Sequence, residues 1–261
     1  MDNRIKYWNN DYTKYWLSKV NEANNKTIKN KIKTSSDKFY NSSIELLNIK
    51  KNEKVLEMGV GFGRSIIFLS KLTKDLYALD ISESMIEEAK KTKIENVKFF
   101  VCESENTNFN KNYFDKIICF ASFDAMYQNK ALLEINRILK VGGKVILTGK
   151  NDNYFDNDLE ALDAEIGARK KGHPNFFTNC DKLIRDISKF GFKIDINHFY
   201  LRRGDFGNLE PLKKMPNKFY EYLIILEKKM EINSEKILDL IISNSYSKTF
   251  ERVNDKLKNS K

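Results

Sequence analysis

Apolar positions along the chain follow two patterns. Between residues 12 and 48 they recur at helical spacing, with Leu17, Val20 and Ala23 and later Ile32, Phe39, Ile44 and Leu47 giving apolar faces. That spacing predicts an N-terminal helical cover. From Lys54 the pattern changes to short apolar runs that each end at a loop and are followed by a helical period: VLEMG then SIIFLSKL, LYALD then SMIEEAKK. VKFFV (97–101), IICFA (117–121), a helix over 131–139 and KVILTG (144–149), announced by Gly142-Gly143, continue the series. Strands that alternate with helices in this way build a parallel sheet.

Beyond residue 150 the reading predicts a helix over 180–190 closed by Gly191, and two more strands in FKIDINHFYL (192–201) and YEYLIILEK (220–228). The glycines and prolines of 202–218 make that stretch a loop, and 233–255 reads as a C-terminal helix. The expected architecture is α/β: a Rossmann-like, seven-stranded, mostly parallel sheet with helices on both faces, an N-terminal helical lid and a C-terminal helical extension. Its parts are expected at 1–48 (cover), 49–230 (sheet domain, with an insertion over 151–180) and 231–261 (C-terminal helix).

Composition narrows the picture only a little. The 261 residues are 41% hydrophobic, which allows a real core. Cys102, Cys119 and Cys180 lie far apart and show neither a disulfide framework nor the close pairs of a zinc site, which suits a reducing compartment. Neither a secretory signal nor an apolar membrane-spanning run is visible, so the expected location is the cytoplasm. The formal charge of +10 is uneven: residues 1–54 hold 12 Lys/Arg against 6 Asp/Glu, residues 55–150 hold 14 against 12, and residues 151–261 hold 20 against 18. Acids interrupt the bases in most of the chain, and Lys26, Lys29, Lys31 and Lys33 lack an aromatic stacking platform. This argues for a solvated face rather than nucleic-acid binding.

The informative segment is Glu57-x-Gly59-x-Gly61-x-Gly63, set between an apolar strand and an amphipathic helix. Glycines there let a ligand approach the main chain, and in an open α/β sheet ligands bind beyond the carboxyl ends of the strands. LYALD ends in Asp80, 21 positions after Gly59, where a carboxylate can accept both hydroxyls of a ribose. Position 64 is arginine, so the third glycine of a dinucleotide fingerprint is missing, as is the Lys-Ser/Thr ending of a triphosphate loop.

VLEMGVGFGR, ALDISESMIEEAKK, VKFFVCESENTNF, FDKIICFAS and EINRILKVGGKVILTG, in this order over roughly residues 50–150, resemble the successive motifs of class I S-adenosylmethionine-dependent methyltransferases, particularly the group that modifies small molecules. The resemblance implies S-adenosylmethionine as cofactor and S-adenosylhomocysteine as product. It implies that Glu57, Gly59, Gly61 and Gly63 line the methionine moiety, that Asp80 binds the ribose, and that Ile81 and Met85 flank the adenine. Glu103 and Ser104 would meet the adenine amino edge, and Phe120 and Ala121 would lie beside the sulfonium.

Ser84 with Glu87 reads as a capping box. Trp8, Tyr12, Tyr15 and Trp16 could close over the cofactor. The family group often carries histidine shortly after its fourth strand, whereas this chain has Ser122-Phe123-Asp124-Ala125-Met126-Tyr127, so a base there would have to be Asp124. His173, in a Gly- and Pro-marked loop, is the other catalytic candidate, while His198 falls inside a predicted strand. No close His/Asp/Glu set stands out, so no metal is expected. The expected function is methyl transfer to oxygen or nitrogen of a small, anionic or sugar-like metabolite. An RNA-modifying methyltransferase and a non-catalytic cofactor-binding module stay open as alternatives.

Overall fold

The computed structural model describes residues 3–15, 37–206, 209–232, 237 and 242–259. The apolar runs form β1 (Lys54–Met58), β2 (Asp75–Asp80), β3 (Val97–Val101), β4 (Phe114–Cys119) and β5 (Leu139–Lys150), all parallel. With β7 (Phe192–Tyr200) and β8 (Glu221–Lys228) they make one seven-stranded sheet in the order β3-β2-β1-β4-β5-β8-β7. β8 runs antiparallel between β5 and β7. The seven-stranded, Rossmann-like sheet expected from the sequence is therefore observed.

Helices cover both faces: α2 (Asp37–Glu45), α3 (Ile66–Leu72), α4 (Glu83–Lys90), α5 (Gln128–Ile138) and α7 (Cys180–Asp186), the last prolonged by a 3-10 turn to Phe190 and closed by Gly191 at φ +78°. The side-chain alternation of β1 feeds two cores, because successive residues of a strand point to opposite faces. Leu56 and Met58 join the cluster that holds Ile135 and Leu183, and Val55 joins the one that holds Ile44, Leu69 and Ile86. Strand order reverses at β1, which pairs with both β2 and β4, so a crevice opens at the carboxyl ends of β1 and β4.

At the N-terminus the chain forms α1 (Asn3–Tyr7), which runs into a π-helical turn at Trp8–Tyr12. Residues 16–36 of the expected helical cover lie outside the described residues. After β5, α6 (Leu159–Lys170) and a short β6 (Phe177–Thr178) occupy the expected insertion. β6 pairs antiparallel with β9 (Ser243–Asn244), and α8 (Lys248–Asn259) packs on α6. The region from 231 onward is thus not the single helix that its spacing suggested. Ser243 and Asn244 are drawn into extended pairing with β6, and the helix begins only at Lys248. Glu165 of α6 stitches the two segments together, accepting from Tyr154 Oη (2.6 Å), Ser247 N (3.0 Å) and Ser247 Oγ (2.6 Å).

Candidate functional site

The loop after β1 folds back on β2: the backbone N–H groups of Gly59 and Val60 both donate to Leu79 O, at 2.9 and 3.0 Å. Gly59 (φ +75°) has no room for a side chain, since a Cβ there would lie 2.4 Å from Ser122 Cβ. Gly61 (φ +52°) differs, with no atom within 4 Å of the corresponding position, so its backbone is open to a ligand. Gly63 packs toward Ile66 and Ala89 and does not line the cleft, contrary to the role expected for it.

Asp80 ends β2 beside this loop and is only 9% exposed. Its Oδ2 accepts from Gly61 N and its Oδ1 from Ser82 N, both at 2.9 Å. Burial raises its pKa above the ordinary carboxylate range, against the pull of these backbone donors. Two oxygens offer about four lone-pair sites, so acceptor capacity for two hydroxyls remains. Helix α4 is capped by Ser82, whose Oγ accepts from Met85 N at 3.2 Å. Ser84, expected as the cap, instead donates to Asn9 O (3.1 Å) and meets Thr13 Oγ1 (2.8 Å), pinning the N-terminal segment to the turn that carries Asp80.

Glu57 carries the sharpest chemical signal. It is 2% exposed, Ser65 Oγ donates to its Oε1, and its Oε2 has no partner. Burial, with the charge of Asp80 adding to it, pushes its pKa up to about 8. An unpaired carboxylate oxygen held out of water is costly, and a cationic ammonium from a ligand would relieve it.

Glu57 and Asp80 open onto one cleft of about 1030 Å³, its mouth included, which Gly59, Gly61, Ile81, Met85, Ser104, Phe120 and Ala121 also line. Ala121 holds a left-handed φ of +50° and donates its N–H to Thr148 Oγ1 at 2.7 Å, a strained corner of the kind that clusters at ligand sites. Trp8 and Tyr12 line the same cleft from the N-terminal segment. Tyr15 is exposed, with Lys171 Nζ 3.9 Å over its ring, and Trp16 lies outside the described residues.

Glu103 does not line the cleft. The next carboxylate, Glu105, does, accepting from Arg4 Nη1 (2.6 Å) and from Tyr127 N (2.7 Å), while Arg4 lies 3.9 Å over the Tyr127 ring. Neither Arg4 nor Glu105 was singled out by the sequence. Glu105 falls inside the VKFFVCESENTNF run, whereas Arg4 lies outside every motif run.

Both expected catalytic groups stand behind the cleft wall rather than in it. Asp124 is buried in an ion pair with Lys150, whose pKa burial lowers but the Asp124 charge lifts above its ordinary value overall. His173 Nδ1 meets Tyr7 Oη at 3.1 Å, and its ring packs 5.0 Å from Trp8 and 5.3 Å from Tyr12. Burial, aided by Lys150, pushes its pKa down to about 4, so the imidazole is neutral and a weak base. His198 sits in β7 opposite Leu223, as its strand position suggested. Among the described residues no three His, Cys, Asp or Glu side chains gather as a metal set.

Residues 56–147 match a family model described as a methyltransferase domain. The ubiquinone/menaquinone biosynthesis C-methyltransferase UbiE of Rickettsia prowazekii is 36% identical over 107 residues, 36% of this chain and 43% of that protein. The uncharacterized methyltransferase YcgJ of Bacillus subtilis is 28% identical over 178 residues, 62% of this chain and 69% of that protein. Among solved structures, a methyltransferase in complex with the Haloferax volcanii Trm112 methyltransferase activator superposes with a TM-score of 0.61 at 12% identity, covering 84% of this chain and 98% of that one. Residues 56–147 carry a methyltransferase domain of the class I S-adenosylmethionine-dependent kind, on the fold shared with that solved structure. The chain spans less than half the length of the UbiE relative. S-adenosylmethionine is the family's cofactor, and the cleft fits it: the orphaned oxygen of Glu57 suits its ammonium and the buried Asp80 its ribose hydroxyls.

Proposed function

We propose that this chain transfers the methyl group of S-adenosylmethionine to a small-molecule acceptor. The observation that carries the reading is the unpartnered Glu57 oxygen sharing one cleft with Asp80 and the open backbone of Gly61. Bound there, the cofactor supplies an electrophilic methyl group on a sulfonium. The chain's own residues orient it: Glu57 holds the amine, Asp80 the ribose, Ile81 and Met85 the faces of the adenine, Ser104 its edge, and the Phe120–Ala121 corner the sulfur side. Trp8 and Tyr12 cover the cleft and exclude water, which matters because in-line displacement depends chiefly on alignment and dryness.

A small acceptor is favoured by aromatic walls at Trp8, Tyr12, Tyr40, Phe62 and Phe120, and by the pairing of Arg4 with Glu105. A nucleic-acid site would present cations to phosphates. Carbon joins oxygen and nitrogen as an acceptor atom, since the Rickettsia relative is named a C-methyltransferase. The three free cysteines suit the cytoplasm, and among the described residues no helix is long and apolar enough to cross a membrane.

The test is transfer of a radiolabelled methyl group from S-adenosylmethionine to pooled small metabolites and, separately, to total RNA. Label in a small product supports the reading. Label in RNA alone, or in neither with cofactor bound, replaces it with one of the two alternatives.

A further inference from the structure

The seven-stranded sheet ends in two unlike edges. At β7 the edge is blunted: the register slips between Ile194 and Ile196, and Phe199 exchanges both backbone hydrogen bonds with Leu212, at 2.9 and 3.0 Å. At β3 nothing among the described residues pairs with the outer side. The backbone N–H of Cys102 donates to Asp80 O at 3.0 Å, so by alternation the N–H and C=O groups of Val97, Phe99 and Val101 point away from β2. An open row of this kind templates a further strand.

The side chains along the row are largely apolar. Val97, Phe99 and, by alternation, Val101 share the face on which α4 packs, and Val101 is 52% exposed. Phe100, 37% exposed, stands on the other face, stacked on Tyr77 and edge-on to Phe109. Lys98 is the strand's one charge, and it does not guard the edge: its Nζ turns back onto β2, donating to Asp75 (2.7 Å) and to Tyr77 Oη (3.1 Å).

This strand is complementary to a copy of itself. When two β3 strands run antiparallel with Phe99 opposite Phe99, each outward N–H meets an outward C=O, Val97 lies against the partner's Val101, and Lys98 lies against the partner's Phe100. Centred on Lys98 instead, the pairing would set lysine against lysine. The same twofold axis runs the two α4 helices antiparallel, so the acidic start of one, at Glu83, is directed toward the basic end of the other, at Lys90 and Lys91.

We propose that β3 is the docking surface for a second copy of this chain, the two sheets joining through an antiparallel β3 pair centred on Phe99. Such a dimer is independent of the methyl-transfer reading.

Sedimentation velocity of the full chain over a concentration series is expected to show a monomer–dimer equilibrium with Kd on the order of 10 μM, in keeping with the small area that a five-residue strand buries. Val101→Pro removes an outward N–H and leaves the β2 ladder whole, and Val101→Lys sets a charge against the partner's Val97. Each is expected to weaken the dimer roughly tenfold or more, with an unchanged far-ultraviolet circular dichroism spectrum. Should Val101→Pro not fold, Val101→Lys decides. Hydrogen exchange locates the contact: the amides of Val97, Phe99 and Val101 are expected to exchange fast in dilute solution and slowly in concentrated solution, while those of Lys98 and Phe100 stay protected in both. A chain that remains monomeric at about fifty times the expected Kd overturns the inference. So does a dimer that the folded variants leave intact while the three outward amides exchange alike at both concentrations.

Discussion

Arg4 donates to Glu105 at 2.6 Å across 101 positions of chain, and both side chains are nearly buried, at 6% and 5% exposure. This pair ties the N-terminal segment to the loop after β3, over the mouth of the cofactor cleft. Arg4→Ala leaves a carboxylate uncompensated in a dry place, which costs about 3–5 kcal/mol. The expected outcome is a Tm lower by roughly 10 °C, together with weaker S-adenosylhomocysteine binding. Differential scanning fluorimetry with and without the ligand reads both; an unchanged Tm would mean the pair is open in solution.

Gly59 and Gly61 separate folding from binding. At Gly59 a methyl group meets Ser122 Cβ at 2.4 Å on a left-handed backbone, so Gly59→Ala combines overpacking of about 1–3 kcal/mol with left-handed strain of about 1–2 kcal/mol. At Gly61 the space is open, and Gly61→Ala carries only the backbone strain. Denaturant unfolding is expected to show the larger loss for Gly59→Ala, and titration a cofactor-affinity loss for Gly61→Ala out of proportion to its small stability change. Equal stability losses would contradict the assignment.

Much of this site was legible because glycine spacing and a strand-terminal acid are local patterns. VLEMG and LYALD announce strands, loop and Asp80 together, and the sheet places them side by side. What could not be read depends on contacts between distant segments. Nothing in YEYLIILEK says that β8 inserts between β5 and β7, and nothing near Ser243 says that it pairs with Thr178. The same holds for Ser82 displacing Ser84 as the cap: Ser84 is claimed by Asn9 and Thr13, whose docking no spacing rule reports. His173 and Asp124 looked catalytic because of their residue types, yet packing against Tyr7 and pairing with Lys150 hold them behind the wall.

Glu57 makes stability depend on pH in an unusual sense. Its pKa is near 8 in the folded chain against an ordinary 4.5, so between these values the folded state binds the extra proton. The stability it contributes is present below about 4.5 and is lost as pH rises toward 8. Glu57→Gln, which mimics the protonated acid, is expected to flatten that decline in urea midpoints while weakening cofactor binding. Identical pH slopes in the two proteins would refute the buried, unpaired state of Glu57.

His173 gives the opposite slope. Its pKa falls from 6.5 to about 4 on folding, so its contribution is present above about 6.5 and is lost as pH falls through 4. Because its ring contacts Tyr7, Trp8 and Tyr12, acidification should loosen the cover along with it. His173→Gln is expected to reduce the loss of Tm between pH 7 and 4.5; a variant that tracks the unaltered chain would show that the imidazole is solvated.

Asp80 is the most direct test of the whole account. Calorimetric titration of the purified chain with S-adenosylhomocysteine, repeated on Asp80→Ala, is predicted to show Kd on the order of micromolar for the unaltered protein and no measurable binding for the folded variant. A folded, unaltered chain that binds neither S-adenosylhomocysteine nor S-adenosylmethionine would contradict the assignment of the cleft.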